Sequence, residues 1–383
     1  MRLLPLLSAL CFVASLAAAQ RAPIRVPDNQ ARGTTGMGTN LSSQDQSAVY
    51  AEADAAALNT TSAKTINSIP HWSGKFSYAG KVYPYTMVGT NPVSNPVSTT
   101  IPTVLIPLRF VFDDYLVNGK PVVLDPASKI TLLKNSPIWA QHDWGFGPAQ
   151  YMDALQRDAF AKTDAYHVIL GQPRILPTQV VHVKSSNSIV YQTSTGYVGI
   201  IELNFLFNLI STLPHKLGVL PSKIALMYSL DVYGHPFSGS SSYYYGYHGN
   251  SQVSSTTTST TVQVWAWSSW IDPGYFGGAN TRDILGITHE IAEIAHDPFL
   301  SNNAPGYQYP YSSTSCNTIL EVGDVTEGIQ GQDGHATLVN GYTYHPANVA
   351  MLPWFARSAA RTITQSYSFP STTLLTSSSK PCQ

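Results

Sequence analysis

The chain has 383 residues, 21 basic and 22 acidic side chains, and 43% hydrophobic residues. Charge this sparse and balanced excludes a basic field of the kind that binds nucleic acid or an anionic membrane surface. The length exceeds one typical domain and allows a large core, including a single elaborate domain.

Residues 1–19 read as an export signal. Arg2 supplies the positive start, 3–16 a mostly apolar stretch, and Ala17-Ala18-Ala19 a small-residue cleavage site. That stretch is too short for a membrane anchor, and no later segment reaches the roughly 18–20 apolar residues that span a bilayer. The expectation is a soluble protein, secreted or periplasmic, with no membrane anchor. Residues 20–65 are polar and rich in Ala, Thr, Ser and Gln, which fits a flexible arm or a propeptide.

The remainder, 66–383, is expected to form one strand-rich α+β domain. A hairpin is predicted at 74–85, turns at Asn91-Pro92 and Asn95-Pro96, and a buried strand at 103–112. The spacing of Tyr151, Ala154, Leu155 and Phe160 predicts a helix over 148–162. Further strands are expected at 180–183, 188–192, 197–207 and 224–233, and an aromatic turn at 243–248. The segment 251–267 reads as a strand rather than a linker. Val262, Val264 and Ala266 share one face, with Gln263, Trp265 and Trp267 on the other. A second helix is predicted over 281–297, capped by Asn280 or Thr281 and stopped by Pro298. Strands at 341–344 and 349–355 close the domain. Cys316 and Cys382 remain after removal of the signal, and an exported compartment permits a disulfide that pins the tail.

The chemistry gathers late in the chain. Between Arg282 and Arg357 there is no lysine or arginine, yet there are eight carboxylates and four histidines. The tightest group is His289-Glu290-Ile291-Ala292-Glu293-Ile294-Ala295-His296-Asp297. Buried carboxylates without cations repel one another, and a divalent metal is the simplest remedy. At about 100° per residue, His289, Glu290, Glu293, His296 and Asp297 share one helix face, while Ile287, Ile291 and Ala295 share the other. His289 and Glu293 lie about 6 Å apart along the axis, one turn, so both can chelate one ion. Glu290 sits beside them, where a zinc-helix base takes a proton from metal-bound water.

The spacing is that of the His-Glu-x-x-His zinc helix, with Glu in place of the second histidine. The plain alternative is a solvated polar face. A third ligand is needed, and Glu321 is the leading candidate. His296, Asp297, Asp324 and His248 are the alternatives, and Asp297 and Asp324 can instead orient ligands. His248 could serve as ligand or oxyanion donor, or as a packed loop histidine. His335 and His345 read as loop histidines. Trp265, Trp267 and Trp270 could line a groove or anchor a core. No nucleophile elbow, phosphate-binding glycine loop or zinc-ribbon cysteine pair is present.

His289-Glu290-Ile291-Ala292-Glu293 followed by Asp297-Pro298, then Glu321-Val322-Gly323-Asp324, resembles a pattern in secreted proteins. One distant likeness is to the plant phosphate-induced (EXORDIUM-like) family, which also carries an element like Gly246-Tyr247-His248. A closer one is to uncharacterised exported bacterial proteins of metalloprotease-like character. These pair the helix with Gln150-Tyr151-Met152-Asp153-Ala154-Leu155-Gln156-Arg157 and a late Trp354-Phe355. The resemblance covers 100–160 and 240–357 and implies a zincin-like metal site at His289, Glu293 and Glu321.

The expected function is zinc-dependent hydrolysis of a peptide or protein substrate, with His289, Glu293 and Glu321 as ligands and Glu290 as base. The rival is a non-catalytic cell-surface or matrix protein with a structural Ca²⁺ or Zn²⁺. All-oxygen coordination by Asp297, Glu321 and Asp324 would favour calcium. A glycoside hydrolase using two of the carboxylates is disfavoured, because that chemistry does not require the adjacent histidines.

Overall fold

The computed structural model describes residues 65–162, 165–193, 196–237, 243–273, 282–312, 316–327, 329 and 334–382. The export signal and nearly all of the polar arm lie outside the described residues, as do the expected caps Asn280 and Thr281. What is described is a strand-rich α+β fold.

Its centre is an eight-stranded sheet. Ile224–Leu230 lies parallel to Thr103–Val117 on one side and to Ser259–Trp270 on the other. Antiparallel partners flank this parallel core, with Lys120–Leu124 against Thr103–Val117 and Gly246–Ser255 against Ser259–Trp270. A parallel sheet is stable when covered on both faces, which is why its strands are runs of branched and aromatic residues.

The alternation along 259–270 sorts the two covers. Val262, Val264 and Ala266 pack with Ile284, Ile287, Ile291, Ile294 and Ala295 of the second predicted helix. Trp265 and Trp267 pack on the opposite face with Leu203, Leu206 and Ile210. All three tryptophans are core residues. Their indole N–H groups donate to Ser251 Oγ, Ser229 Oγ and Asp272 Oδ1, so they do not line a groove.

The expected hairpin forms as His71–Tyr78 with Lys81–Val88. The predicted strand 197–207 does not run through. Strand Tyr197–Glu202 passes directly into helix Leu203–Lys216. Glu202 is the break: its carboxylate accepts the Phe205 N–H at 2.8 Å and caps the helix, ending an otherwise apolar run. The stretch 349–355 is likewise a two-residue strand followed by the short helix Leu352–Phe355.

The first predicted helix is shorter than its pattern, Tyr151–Ala159, and all nine residues are buried. Its polar members have specific partners. Asp153 accepts the Val168 N–H, Asp158 accepts from Thr364, and Gln156 donates to the Ala295 carbonyl. This helix therefore satisfies a carbonyl near the C-terminal end of the second one. Cys316 and Cys382 form a disulfide with Cα atoms 5.7 Å apart, which ties the tail to strand Cys316–Ile319. Among the described residues no helix is long and apolar enough to cross a membrane.

Candidate metal centre

The second predicted helix is Leu285–His296, starting four residues later than its sequence pattern. The delay comes from Asp283, whose φ of +45° breaks the helical path. Its Oδ1 accepts the Ile284 N–H at 2.6 Å and the His345 N–H at 2.8 Å. Pro298 follows the last turn, as expected. All twelve helical residues are buried. The apolar face meets the sheet, and the chemical face is covered by protein rather than solvated. Gly286 makes the close packing possible. A Cβ there would stand 2.9 Å from the Tyr245 ring and 3.1 Å from its carbonyl oxygen.

Two elements bring further ligands to that face. His248 is not in a turn but in strand Gly246–Ser255, paired in register with Ala266. Residues opposite one another in an antiparallel pair point to the same side. Ala266 faces the site helix, so His248 does too, while Tyr247 joins the opposite core. The second element is the turn 321–324. Gly323 brings its backbone so close to His289 that an added Cβ would lie 2.6 Å from the imidazole. The Gly323 and Asp324 N–H groups then reach Glu293 Oε1 at 3.1 and 3.3 Å.

The outcome is a buried cluster of two histidines and four carboxylates. His289 Nε2 is 3.0 Å from Glu293 Oε1 and 3.6 Å from Asp324 Oδ1. His248 Nδ1 is 3.1 Å from Glu293 Oε2 and 3.2 Å from Glu290 Oε2. Glu321 Oε2 approaches His248 Nε2 at 3.8 Å. Two sets have ligand atoms lying within 4.8 Å of one another, His289 with Glu293 and Asp324, and His248 with Glu290 and Glu293. The helix and the 321–324 turn do meet, then. The turn carboxylate nearest His289 is Asp324, and Glu321 stands behind His248.

The ion pairs of these four carboxylates are with histidines alone among the described residues. Burial pushes Glu321 well above the usual carboxylate range, and the charge on Glu293 adds to it. Burial likewise raises Glu290 and Asp324. Glu293 goes the other way. Burial opposes its charge, but His289 and His248 outweigh burial and hold it low. Burial also opposes charge on the imidazoles. Glu321 and the hydrogen bonds to Glu290 and Glu293 nonetheless hold His248 well above its usual value, and Glu293 and Asp324 do the same for His289. Protons thus serve as counterions where a metal would compete for the same atoms. Both Glu321 carboxylate oxygens and His248 Nε2 are buried without a hydrogen-bond partner among the described residues. Atoms in that condition suit metal ligation far better than they suit a packed core.

The other candidates go elsewhere. The His296 ring hydrogen-bonds the Ala292 carbonyl at 2.9 Å, and burial lowers its pKa to about 4. Asp297 accepts the Ser301 and Asn302 N–H groups, both at 2.9 Å, and so shapes the turn after the helix. His345 is more than a loop histidine, because its Nδ1 pairs with Asp283 Oδ2 at 2.7 Å. His335 lies in a loop, as expected, and its N–H donates to the Pro346 carbonyl. Two participants, His248 and Asp324, stood only among the alternatives in the sequence. For His248 a local signal existed, the even-numbered alternation running back from Val262 through the hairpin.

Compared with known proteins, the chain matches no family model, no curated protein and no solved structure.

Proposed function

We propose that the chain is an exported, divalent-metal-dependent hydrolase of peptide bonds. The observation that supports this best is the convergence of His289, Glu293 and Asp324, with Glu290 one residue from His289 on the same buried helix. One nitrogen and two carboxylate oxygens make a competent zinc set, and two nearby imidazoles disfavour calcium, which takes oxygen ligands. When bound, zinc would supply a Lewis acid and a water of pKa about 7.

Glu290 is the proton carrier. It must take a proton from water and return it to the leaving amine nitrogen as the C–N bond breaks. His248, hydrogen-bonded to Glu290 Oε2, orients that carboxylate. Among the described residues no lysine or arginine pairs with the cluster, which argues for an amide substrate over a phosphoester, whose charge needs cations beyond the metal. Export rests on the signal-like residues 1–19 and on the Cys316–Cys382 bridge, since such bonds persist in oxidising compartments.

One observation favours the second reading, a non-catalytic exported protein with a structural metal. Every side chain of the cluster is at most 11% exposed, and closed coordination is typical of structural zinc. Metal analysis of the purified protein, followed by mass-spectrometric profiling of a peptide library, separates the two. The hydrolase reading expects cleavage that chelation and Glu290→Gln both abolish, with at least one equivalent of zinc retained in the variant. Metal-loaded protein that cleaves nothing leaves the structural reading, and a variant that cleaves normally removes Glu290 from the mechanism.

A further inference from the structure

We infer that the centre is dinuclear, with two divalent cations bridged by Glu293. This deepens the metal-site reading above and rests on it. Three observations carry the second ion.

The two histidines stand on opposite sides of one carboxylate. Glu293 turns Oε1 toward His289 Nε2 at 3.0 Å and Oε2 toward His248 Nδ1 at 3.1 Å. His248 and His289 fall into separate sets of ligand atoms, joined only by Glu293. Two nitrogens on one zinc, each at about 2.1 Å, cannot be more than about 4.2 Å apart, so one ion would leave one histidine unused. A carboxylate presenting one oxygen to each histidine is arranged to bridge.

Charge points the same way. Metal ligation needs the carboxylates ionised and the imidazoles neutral. Glu290, Glu293, Glu321 and Asp324 then carry four negative charges, with histidines as their ion-pair partners among the described residues. One divalent cation leaves two of those charges uncompensated in the interior, whereas two cations neutralise the set.

The third observation is Glu321, 2% exposed, with both oxygens lacking a hydrogen-bond partner among the described residues. It lies on the His248 side, 3.8 Å from Nε2. A single ion at His289, Glu293 and Asp324 gives Glu321 nothing to do. A second ion on His248 Nδ1, shared with Glu290 and Glu293, leaves the ring proton on Nε2 facing Glu321, so that carboxylate orients the liganding histidine. Each half is then one imidazole and two carboxylates, a mixed set suited to Zn²⁺, Mn²⁺ or Fe²⁺. Glu290 can hold the second ion through Oε2, since a carboxylate bound through one oxygen keeps the other for the proton.

The test is to strip the full-length protein with chelator, reload it with Zn²⁺ and count bound metal, with Mn²⁺ loading followed by electron paramagnetic resonance as the second arm. Two equivalents of Zn²⁺ are expected in the wild type and one in each of Glu290→Gln and Asp324→Asn. The Mn²⁺ protein should show the exchange-coupled spectrum of a close pair. One equivalent in the wild type, lost in Asp324→Asn and kept in Glu290→Gln, overturns the second ion and leaves the mononuclear hydrolase standing. An isolated six-line Mn²⁺ spectrum at saturation overturns it without any variant. No bound metal overturns both readings.

Discussion

Two buried acid–histidine groups flank the same helix, and they are built in opposite ways. At its start, Asp283 is saturated. It accepts the Ile284 and His345 N–H groups and the His345 ring, and Arg282 Nη2 reaches the other ring nitrogen at 2.8 Å. In the other group, Glu321 faces His248 with neither oxygen hydrogen-bonded among the described residues. Asp153, Asp158 and Asp297 follow the first pattern, each accepting backbone N–H groups. Burying a carboxylate costs several kcal/mol unless its oxygens find donors. Asp283 is closed off by its donors, whereas Glu321 is left in the condition that a nearby cation would relieve.

That contrast can be broken experimentally. The largest effect is expected from Glu293→Gln, which removes a ligand from the middle of the cluster. A site worth ~10–16 kcal/mol shared among about four ligands loses roughly 300-fold in affinity with one of them, readable by competition against a metal indicator. The metal-free protein should also lose stability, because Glu293 is the carboxylate that His289 and His248 hold ionised. Asp283→Ala should separate the two effects. Leaving two backbone N–H groups and His345 without their partner should cost about 3 kcal/mol in denaturant unfolding, with bound metal per folded molecule unchanged. If Asp283→Ala strips the metal and Glu293→Gln does not, the contrast has been drawn the wrong way round.

Gly323→Ala sharpens the boundary between scaffold and site. Its Cβ must displace the His289 ring, so metal affinity should fall about 10–100-fold, the range for outer-shell changes, while the fold persists by circular dichroism.

The pH response carries a definite sign. Without metal, His248, His289, Glu290, Asp324 and Glu321 hold protons to higher pH than they would in an unfolded chain. The folded state then binds more protons, so metal-free stability falls as pH rises above the ordinary glutamate value of 4.5. Glu293, held low, works the other way only below that value. Metal displaces these protons, so its affinity should rise about tenfold per pH unit for each proton released. Calorimetry in buffers of different ionisation enthalpy measures that number, and the gap in Tm between loaded and stripped protein should widen from pH 5.5 to 8. A narrowing gap would count against the cluster as a metal site. The smallest effect belongs to the surface. Arg109, 45% exposed and paired with Asp125, should cost less than about 1 kcal/mol as Arg109→Ala, with no change in metal content.

Local pattern was enough to read much of this protein. The period-2 alternation of 262–267 assigned each side chain to its face, and the period-3.6 pattern of 287–295 put Ile287, Ile291 and Ala295 on the sheet side. His289, Glu290 and Glu293 came together for the same reason, because helical spacing alone places them on one face. The boundaries that failed were those set by single side chains acting on the backbone. Glu202 turned a strand into a helix, and Asp283 delayed the start of another. What only the tertiary structure decided was the partner set. His248 lies 41 positions before His289 and reaches it through strand pairing, and Asp324 rather than Glu321 faces His289 because Gly323 lets that turn press against the ring. Periodicity is a property of neighbouring residues, whereas a closed ligand sphere depends on register and close approach between distant segments. A stretch without lysine or arginine marked where carboxylates would lack basic partners, and packing decided which of their atoms gather.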